Sequence, residues 1–439
     1  MKTGRYLLPA LLLTIFGLAV VISQPSATLG QSAVDNSFQP VVVAGAQADA
    51  FLGGPTSELF AYSYRGGAWT QMPFQIDEKT SNEDGDRVYT AAGDGRLDAD
   101  EEIVFMLKDM GEQAPPSAWV ESAETDGRIE VAVQASGGSR RWAYLFHGSQ
   151  LSQTFEADYV RFSGAAQRVI AERYEAGFLD NGVGLDELRL NGSGVDILDR
   201  TKIRLHIVLR LGPIPIGERS CNEDTLTTEE GCGLEPRPVA PLKDGPVRLV
   251  WSEHGGFAYG SLFQSRNEIN PPALPIGSAT IDSLRFSWDF AEQAVATSTP
   301  TTYLDANLSE PVIIDGQPDS VPTQPLPAWR QISQATGTVI MVTDLSTAGG
   351  TQSNYYKDDS TLDPDDTGDG RSYGDNGFSI DDPNTSFNLE TNLLVLPPTE
   401  ENVGAAYAEQ LATPPVVTAT FQIPSGPLDR KVYVPLIRR

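Results

Sequence analysis

The chain has 439 residues and a formal net charge of −28, with 59 acidic and 31 basic side chains. A negative field of this size repels nucleic acid and anionic lipid surfaces, so both are excluded as partners. The length is compatible with one large sandwich or with two smaller domains.

The first 33 residues have the order of a secretory signal. Lys2 and Arg5 precede an apolar run from Leu7 to Ile22, and small polar residues follow it. The run is shorter than the roughly 20 residues of a spanning helix, although an uncleaved anchor is the alternative. The sequence therefore predicts a secreted, extracellular or cell-surface protein with no membrane span in the mature chain.

A dense acidic segment extends from Pro73 to Asp109 and contains eleven acidic and four basic side chains. Within it, Asp94, Asp98 and Asp100 lie on a glycine-containing stretch and offer the oxygen ligands that Ca²⁺ prefers. The spacing is not that of an EF-hand, because Ala99 occupies the glycine position. These residues predict a calcium loop, and a solvated acidic turn is the alternative.

Alternating apolar and polar residues predict strands along most of the chain. The clearest alternation lies between residues 203 and 211, and similar patterns occur at 129–133, 142–146, 284–290 and 417–423. An apolar run at 336–342 predicts a central strand, and the best helical pattern is Glu401 to Leu411. The predicted fold class is therefore all-β: a large antiparallel β-sandwich, with a supersandwich as one form of it, a smaller N-terminal β unit and few short helices.

Domain boundaries follow from the polar segment Gly148 to Asp158, which could serve as a joint. The predicted parts are a signal peptide at 1–33, an N-terminal β domain at 34–153, a larger β-sandwich at 154–425 and a C-terminal strand or tail at 426–439. The last part contains KVYVPLIRR, which is either an edge strand or a sorting tail, with the strand favoured.

The two cysteines, Cys221 and Cys232, enclose ten residues. In an exported protein this spacing predicts a local disulfide, which would stabilise by about 3 kcal/mol on the loop-entropy model. A zinc site is the weaker interpretation, because no CxxC pair or histidine cluster is present.

Nucleophilic catalysis has little support, since neither a GxSxG nor an HExxH motif occurs. His254 precedes two glycines and is close in sequence to Tyr259 and Arg248, so these three are the candidate catalytic residues of an enzyme. A histidine and a tyrosine of this kind can act as base and acid. The alternative is a strand that ends in a glycine turn, which we favour.

A second acidic segment, from Lys357 to Asp382, contains nine acidic and two basic side chains. Asp365, Thr367 and Asp369 match the first half of a calcium-loop pattern, but Asn376 stands where a bidentate glutamate belongs. Asp365 and Asp369 are therefore the second pair of candidate metal ligands, with Ca²⁺ as the predicted cofactor.

Several motifs carry a resemblance to known proteins: PFQIDE, DGRLDADEEIVFM, DGPVRLVW, and YYKDDS through GDGRSYGDNGF. They resemble a group of uncharacterised secreted bacterial β-rich proteins. More distantly, the β-rich layout with an acidic DG turn before a strand is similar to polysaccharide-lyase and mutarotase-like supersandwich proteins. The resemblance implies a β-rich fold and carries over no catalytic residue.

Two functional hypotheses follow. The first is a non-enzymatic binding or structural protein, stabilised by Ca²⁺, whose aromatic side chains stack on a glycan or contact a cell-surface protein. The second is a glycan-active enzyme, a lyase or hydrolase, that uses His254, Tyr259 and Arg248. The non-enzymatic hypothesis is favoured.

Overall fold

A computed structural model describes residues 35–121, 127–234, 236–271 and 277–424. The predicted signal peptide and the predicted tail at 426–439 lie outside these residues. No helix in the described ranges is both long and apolar enough to cross a membrane.

The strands of the first half of the chain are β1 (Pro40–Ala44), β2 (Leu59–Arg65), β3 (Ala68–Gln71), β4 (Gln75–Asp77), β5 (Lys79–Ser81), β6 (Arg87–Tyr89), β7 (Glu102–Met106), β8 (Arg128–Gln134), β9 (Arg141–His147), β10 (Val160–Ser163), β11 (Arg168–Ala171), β12 (Tyr174–Phe178), β13 (Leu185–Leu190), β14 (Leu198–Leu211) and β15 (Ile214–Asn222). Those of the second half are β16 (Arg248–Ser252), β17 (Gly255–Tyr259), β18 (Leu262–Ile269), β19 (Ser278–Phe290), β20 (Thr302–Asp305), β21 (Val312–Ile313), β22 (Arg330–Gln334), β23 (Gly337–Asp344), β24 (Thr351–Asp359), β25 (Ser372–Asp381), β26 (Phe387–Leu396) and β27 (Val416–Gln422). The helices are α1 (Glu292–Val295), α2 (Gly404–Ala412) and three 3-10 turns at Gly45–Phe51, Thr56–Glu58 and Leu107–Asp109.

These strands form antiparallel sheets, which confirms the all-β prediction. The largest is the eight-stranded sheet, in the order β16-β17-β18-β26-β23-β22-β20-β21. The central sheet has the order β15-β14-β19-β25-β24, and the N-terminal sheet has the order β27-β8-β9-β2-β3. Smaller sheets are β10-β11-β12-β13, β1-β7-β4 and β5-β6.

Strand β14 shows why the alternation predicted the fold. Ile203, Leu205 and Ile207 are buried in a core shared with β19, β25 and β26, and the intervening side chains lie on the opposite face. The apolar run at 336–342 falls in β23, which is an interior strand of the eight-stranded sheet, as predicted. Helix α2 begins at Gly404, later than predicted, where Gly404 packs directly on the ring of Trp329.

The core is divided between sheets. One cluster lies where the eight-stranded sheet packs on the four-stranded sheet and on β19, and a second lies against β14 and its neighbours. A third cluster fills the space between the N-terminal sheet and β1 and β7. The last strand of the described residues, β27, pairs with β8 along its whole length, from Val416 opposite Gln134 to Gln422 opposite Arg128. The predicted boundary near residue 153 stays a prediction.

The predicted disulfide is confirmed. Cys221 and Cys232 are bonded, with their Cα atoms 5.9 Å apart, and both side chains are buried in the core beside β14. The bond closes the loop that follows β15 and holds it against the central sheet.

Candidate functional site

The predicted ligands of the first acidic segment do not gather around one point. Asp100 forms an ion pair with Arg87 at 2.6 Å, and Asp98 approaches the same guanidinium at 3.5 Å. Hydrogen bonding to Arg87 holds the pKa of Asp100 below its ordinary value. Asp94 accepts a hydrogen bond from the backbone N–H of Arg96 and so closes its own turn. Arg87 therefore compensates charge on Asp98 and Asp100, and calcium in this segment stays a prediction.

The second acidic segment folds back onto the central sheet. Asp365 is exposed, whereas Asp369 lies beside Asp199 and Asp289, and one carboxylate oxygen of each of these three lies within 4.8 Å of the others. This is the one such group of carboxylates found in the described ranges. Asp369 is thus the one predicted ligand in this group, and its partners come from β14 and β19.

A buried lysine lies next to this group. The Lys202 ammonium is 2.7 Å from Asp289 Oδ2 and 2.8 Å from Asp366 Oδ2, and it donates to the carbonyl of Arg371. Burial and the neighbouring Asp375 raise the pKa of Asp289 well above its ordinary value. The pKa of Lys202 is also raised, because the attraction of these carboxylates outweighs the effect of burial. We call Lys202, Asp289, Asp366 and Asp375 the buried lysine cluster.

The calcium hypothesis stays a prediction, and Asp199, Asp289 and Asp369 are the carboxylates on which to test it. Under this hypothesis, the midpoint of thermal unfolding should be higher with Ca²⁺ than with EDTA. The difference between these two midpoints should be smaller in Asp369→Asn, which has lost one anionic ligand. Asp365→Asn tests the other predicted ligand of this loop, which is exposed, and it should leave the difference unchanged if Asp199, Asp289 and Asp369 hold the ion. An unchanged wild-type midpoint would remove calcium as a structural ion.

Two of the three candidate catalytic residues meet in the interior. Arg248 and Tyr259 face each other across the β16–β17 hairpin, and the guanidinium donates to the phenol oxygen at 3.2 Å. Both side chains are almost fully buried. The same guanidinium binds Asp77 at 2.7 Å and Glu102 at 2.6 Å, so it joins β16 to β4 and β7. We call Arg248, Asp77 and Glu102 the buried arginine network.

His254 lies away from that pair. It occupies the turn between β16 and β17, roughly 13 Å along the hairpin from Arg248 at the rise of a strand. Its side chain is 64% exposed and faces Glu253 at 3.4 Å. Gly255 and Gly256, both at positive φ, continue this turn. The arrangement is that of a glycine turn, and the three residues do not surround a common space.

The main cavity of the described residues lies between the central sheet and the eight-stranded sheet. It consists of two adjoining spaces of about 110 Å³ and about 470 Å³. Both are lined by Val183, Arg237, Asn267, Phe286 and Leu389. We call the two spaces together the inter-sheet cavity.

Aromatic side chains form much of the wall of the smaller space. Phe178 packs on Trp251 with ring centroids 4.8 Å apart, and Phe263 meets the edge of Trp251 at 6.1 Å. On the opposite sheet, Phe286 and Trp288 are neighbours at 4.9 Å. The larger space is lined mainly by aliphatic residues: Ile203, Leu205, Leu226, Leu234, Ile269, Leu284 and Leu389. A concave, mostly apolar space with a few polar groups is the usual form of a small-molecule site.

Sequence reasoning missed the lysine cluster and the cavity. One signal for the cluster was present: Arg200, Lys202 and Arg204 alternate on one face of β14, so they form a basic stripe that suits an acidic loop. No local sequence pattern predicts a space between two sheets.

No protein-family model matches the sequence, and the search of curated proteins found none similar to it, so the resemblance stays a prediction.

Proposed function

We propose that the protein is an exported binding protein whose inter-sheet cavity holds a small, mainly apolar molecule. The observation that carries the proposal is the cavity itself, with aromatic residues around one space and aliphatic residues around the other. Burial of an apolar ligand there is favoured by the hydrophobic effect. The buried disulfide supports an oxidising destination outside the cell.

The enzymatic alternative receives less support from the geometry. A glycan lyase or hydrolase would need His254, Tyr259 and Arg248 around one substrate. Tyr259 and Arg248 instead bond to each other in the interior, and His254 lies at an exposed turn. A binding role needs no such convergence.

Glycan binding in the same cavity is the second candidate. Aromatic faces can stack on sugar rings, and Gln264, Asn267 and Thr391 line the smaller space with polar groups. The larger space favours the apolar ligand, because a sugar there would leave most of its hydroxyl groups without a partner.

A series of primary alcohols from hexanol to dodecanol tests the proposal. Each added methylene should improve binding by about 0.8 kcal/mol, or roughly fourfold in the dissociation constant, until the chain outgrows the cavity. Isothermal titration calorimetry should also give a negative heat-capacity change, which marks the burial of apolar surface. Binding of oligosaccharides without binding of any alcohol would favour the glycan alternative, and new reducing or unsaturated ends would favour the enzyme.

A variant that fills the cavity gives the structural control. Val183 is half-buried and lines both spaces, so Val183→Trp should abolish alcohol binding while the protein stays folded. Val195→Trp is the matched control, because Val195 is 40% exposed and does not line the cavity. Equal binding by both variants would place the ligand elsewhere.

A further inference from the structure

Arg237 is placed where the two spaces of the inter-sheet cavity join. Its side chain lines both of them. The backbone N–H of Arg237 donates to the carbonyl of Asn181 at 2.9 Å, which ties this segment to the turn between β12 and β13. Its Nη2 atom donates to the carbonyl of Glu268 at 3.1 Å, on β18. The segment is therefore anchored through its backbone, and the guanidinium makes one hydrogen bond and retains further N–H donors.

Within the part of the chain that the structure describes, Arg237 forms no close ion pair with a carboxylate. Across residues 35–121, 127–234, 236–271 and 277–424, no ion pair involving Arg237 occurs within 4.0 Å, and Glu268, whose side chain is exposed, is the acid that acts on it. Partial burial lowers its pKa below the ordinary arginine value. An arginine nevertheless stays charged at neutral pH, so Arg237 places a cation, without an ion-pair partner among the described residues, at the wall of the cavity.

The other arginine of the smaller space differs in this respect. Arg266 lines that space but forms an ion pair with Glu390 at 2.8 Å, and half of its side chain is exposed. Its charge is already compensated on the surface. Of the two, Arg237 alone presents an uncompensated guanidinium where both spaces can be reached.

We propose that the ligand is an amphipathic monoanion, whose carboxylate is received by Arg237 while its apolar chain fills the inter-sheet cavity. This inference rests on the proposed function and names the class of ligand. The planar guanidinium can bind a carboxylate through two parallel N–H···O bonds, which a primary alcohol cannot reproduce. The net charge of −28 opposes any anion, and it does so more strongly for each further charge, so Arg237 has to outweigh the least repulsion when the ligand carries one carboxylate.

Decanoate, decanol and decylamine are the probes, used below their micelle concentrations at one salt concentration. Wild type should bind decanoate about ten- to a hundredfold more tightly than decanol, because bonds to charged groups are stronger than neutral ones. Decylamine should bind more weakly than decanol. Added salt should weaken the binding of decanoate and leave that of decanol nearly unchanged.

Arg237→Gln should reduce the ratio of decanoate to decanol affinity to near one. Arg87→Gln is the control and should keep the wild-type ratio, because Arg87 forms a surface ion pair with Asp100 and does not line the cavity. The ratio is the readout because a general loss of affinity affects both probes equally and cancels. Arg237→Lys keeps the positive charge but loses the planar pair of N–H donors, so it should give an intermediate ratio.

The outcomes separate the two proposals. Failure of wild type to bind any of the three probes overturns the proposed function itself. Equal binding of decanoate and decanol by wild type overturns the anionic head group and leaves the apolar cavity in place. A wild-type ratio that persists in Arg237→Gln overturns the assignment to this residue.

Discussion

Replacing Arg248 with methionine is expected to lower the free energy of unfolding by about 3–5 kcal/mol, the range for removing one partner from a buried ion pair. Arg248 is 1% exposed and Asp77 is fully buried. Without the guanidinium, Asp77 would keep only Gln75 and the more distant Lys243, which is 3.3 Å away. Urea unfolding at neutral pH measures the change directly.

The control for this variant is Arg266→Met, which removes a surface pair between Arg266 and Glu390. Both of those side chains are more than a third exposed, so the expected change is only about 0–1 kcal/mol. Adding Asp77→Asn to Arg248→Met should recover part of the lost stability, because the fully buried residue 77 then carries no charge, while Lys243, its remaining ion-pair partner, is partly exposed. Similar losses in the two single variants would contradict a structural role for the buried arginine network.

The pH dependence provides a further check on the same network. Burial would raise the pKa of Glu102, but Arg248 and Lys79 outweigh it and hold the pKa below its ordinary value. A carboxyl group whose pKa is lower in the folded protein than in the unfolded chain stabilises the fold at pH values above its ordinary pKa. That stabilisation is lost as the pH falls through the lowered value. Wild type should therefore lose more stability than Arg248→Met on acidification below about pH 4.3.

Replacing Lys202 with methionine is expected to have an effect of similar size, about 3–5 kcal/mol at neutral pH. The ammonium is fully buried and lies within 2.8 Å of carboxylate oxygens of both Asp289 and Asp366. Removing it takes away the ammonium that acts on both Asp289 and Asp375, so the repulsion between these two carboxyl groups is no longer offset by it. Thermal unfolding of the variant at pH 7 tests this, and a wild-type midpoint would contradict it.

The lost stability should return as the pH is lowered. Burial raises the pKa values of Asp289 and Asp375 above their ordinary values, so folding takes up protons above about pH 3.9. The free energy of unfolding therefore falls as the pH rises above the ordinary pKa of aspartate. The fall should be steeper in Lys202→Met than in wild type. Asp375→Asn removes one of the two carboxyls and should flatten the slope. An equal slope in all three proteins would contradict the assignment.

The framework of the fold was predictable because its signals are local. The alternation in β14 has a period of two residues, and the cysteines are separated by 11 positions, so each pattern is visible within one short window. The two acidic segments were equally visible in the sequence, but the cations that pair with their carboxylates were not. The partners of those carboxylates lie far along the chain: Asp366 is 164 residues from Lys202, and Asp77 is 171 residues from Arg248.

The candidate catalytic set shows the same limit. His254 is close in sequence to Arg248 and Tyr259, but it lies in the turn of the β16–β17 hairpin. Arg248 and Tyr259 are paired at the opposite end of that hairpin. The inter-sheet cavity depends on the distance between two sheets and on which side chains stop short of filling it. Neither of these properties produces a repeating pattern in the sequence. Arg237, in a loop without alternation, could be recognised only after both sheets were in place.

The pairing of β27 with β8 has a consequence for the order of assembly. Arg128 on β8 and its hydrogen-bond partner Gln422 are 294 residues apart. During synthesis the edge of β8 stays unpaired until the residues of β27 have emerged, and an unpaired edge invites association with other chains. Export of an unfolded chain, as in the function proposed above, would defer that hazard to the far side of the membrane, where β27 arrives soon after β8. Stop codons that remove β27 should thus yield aggregates, even though they spare most of the cores.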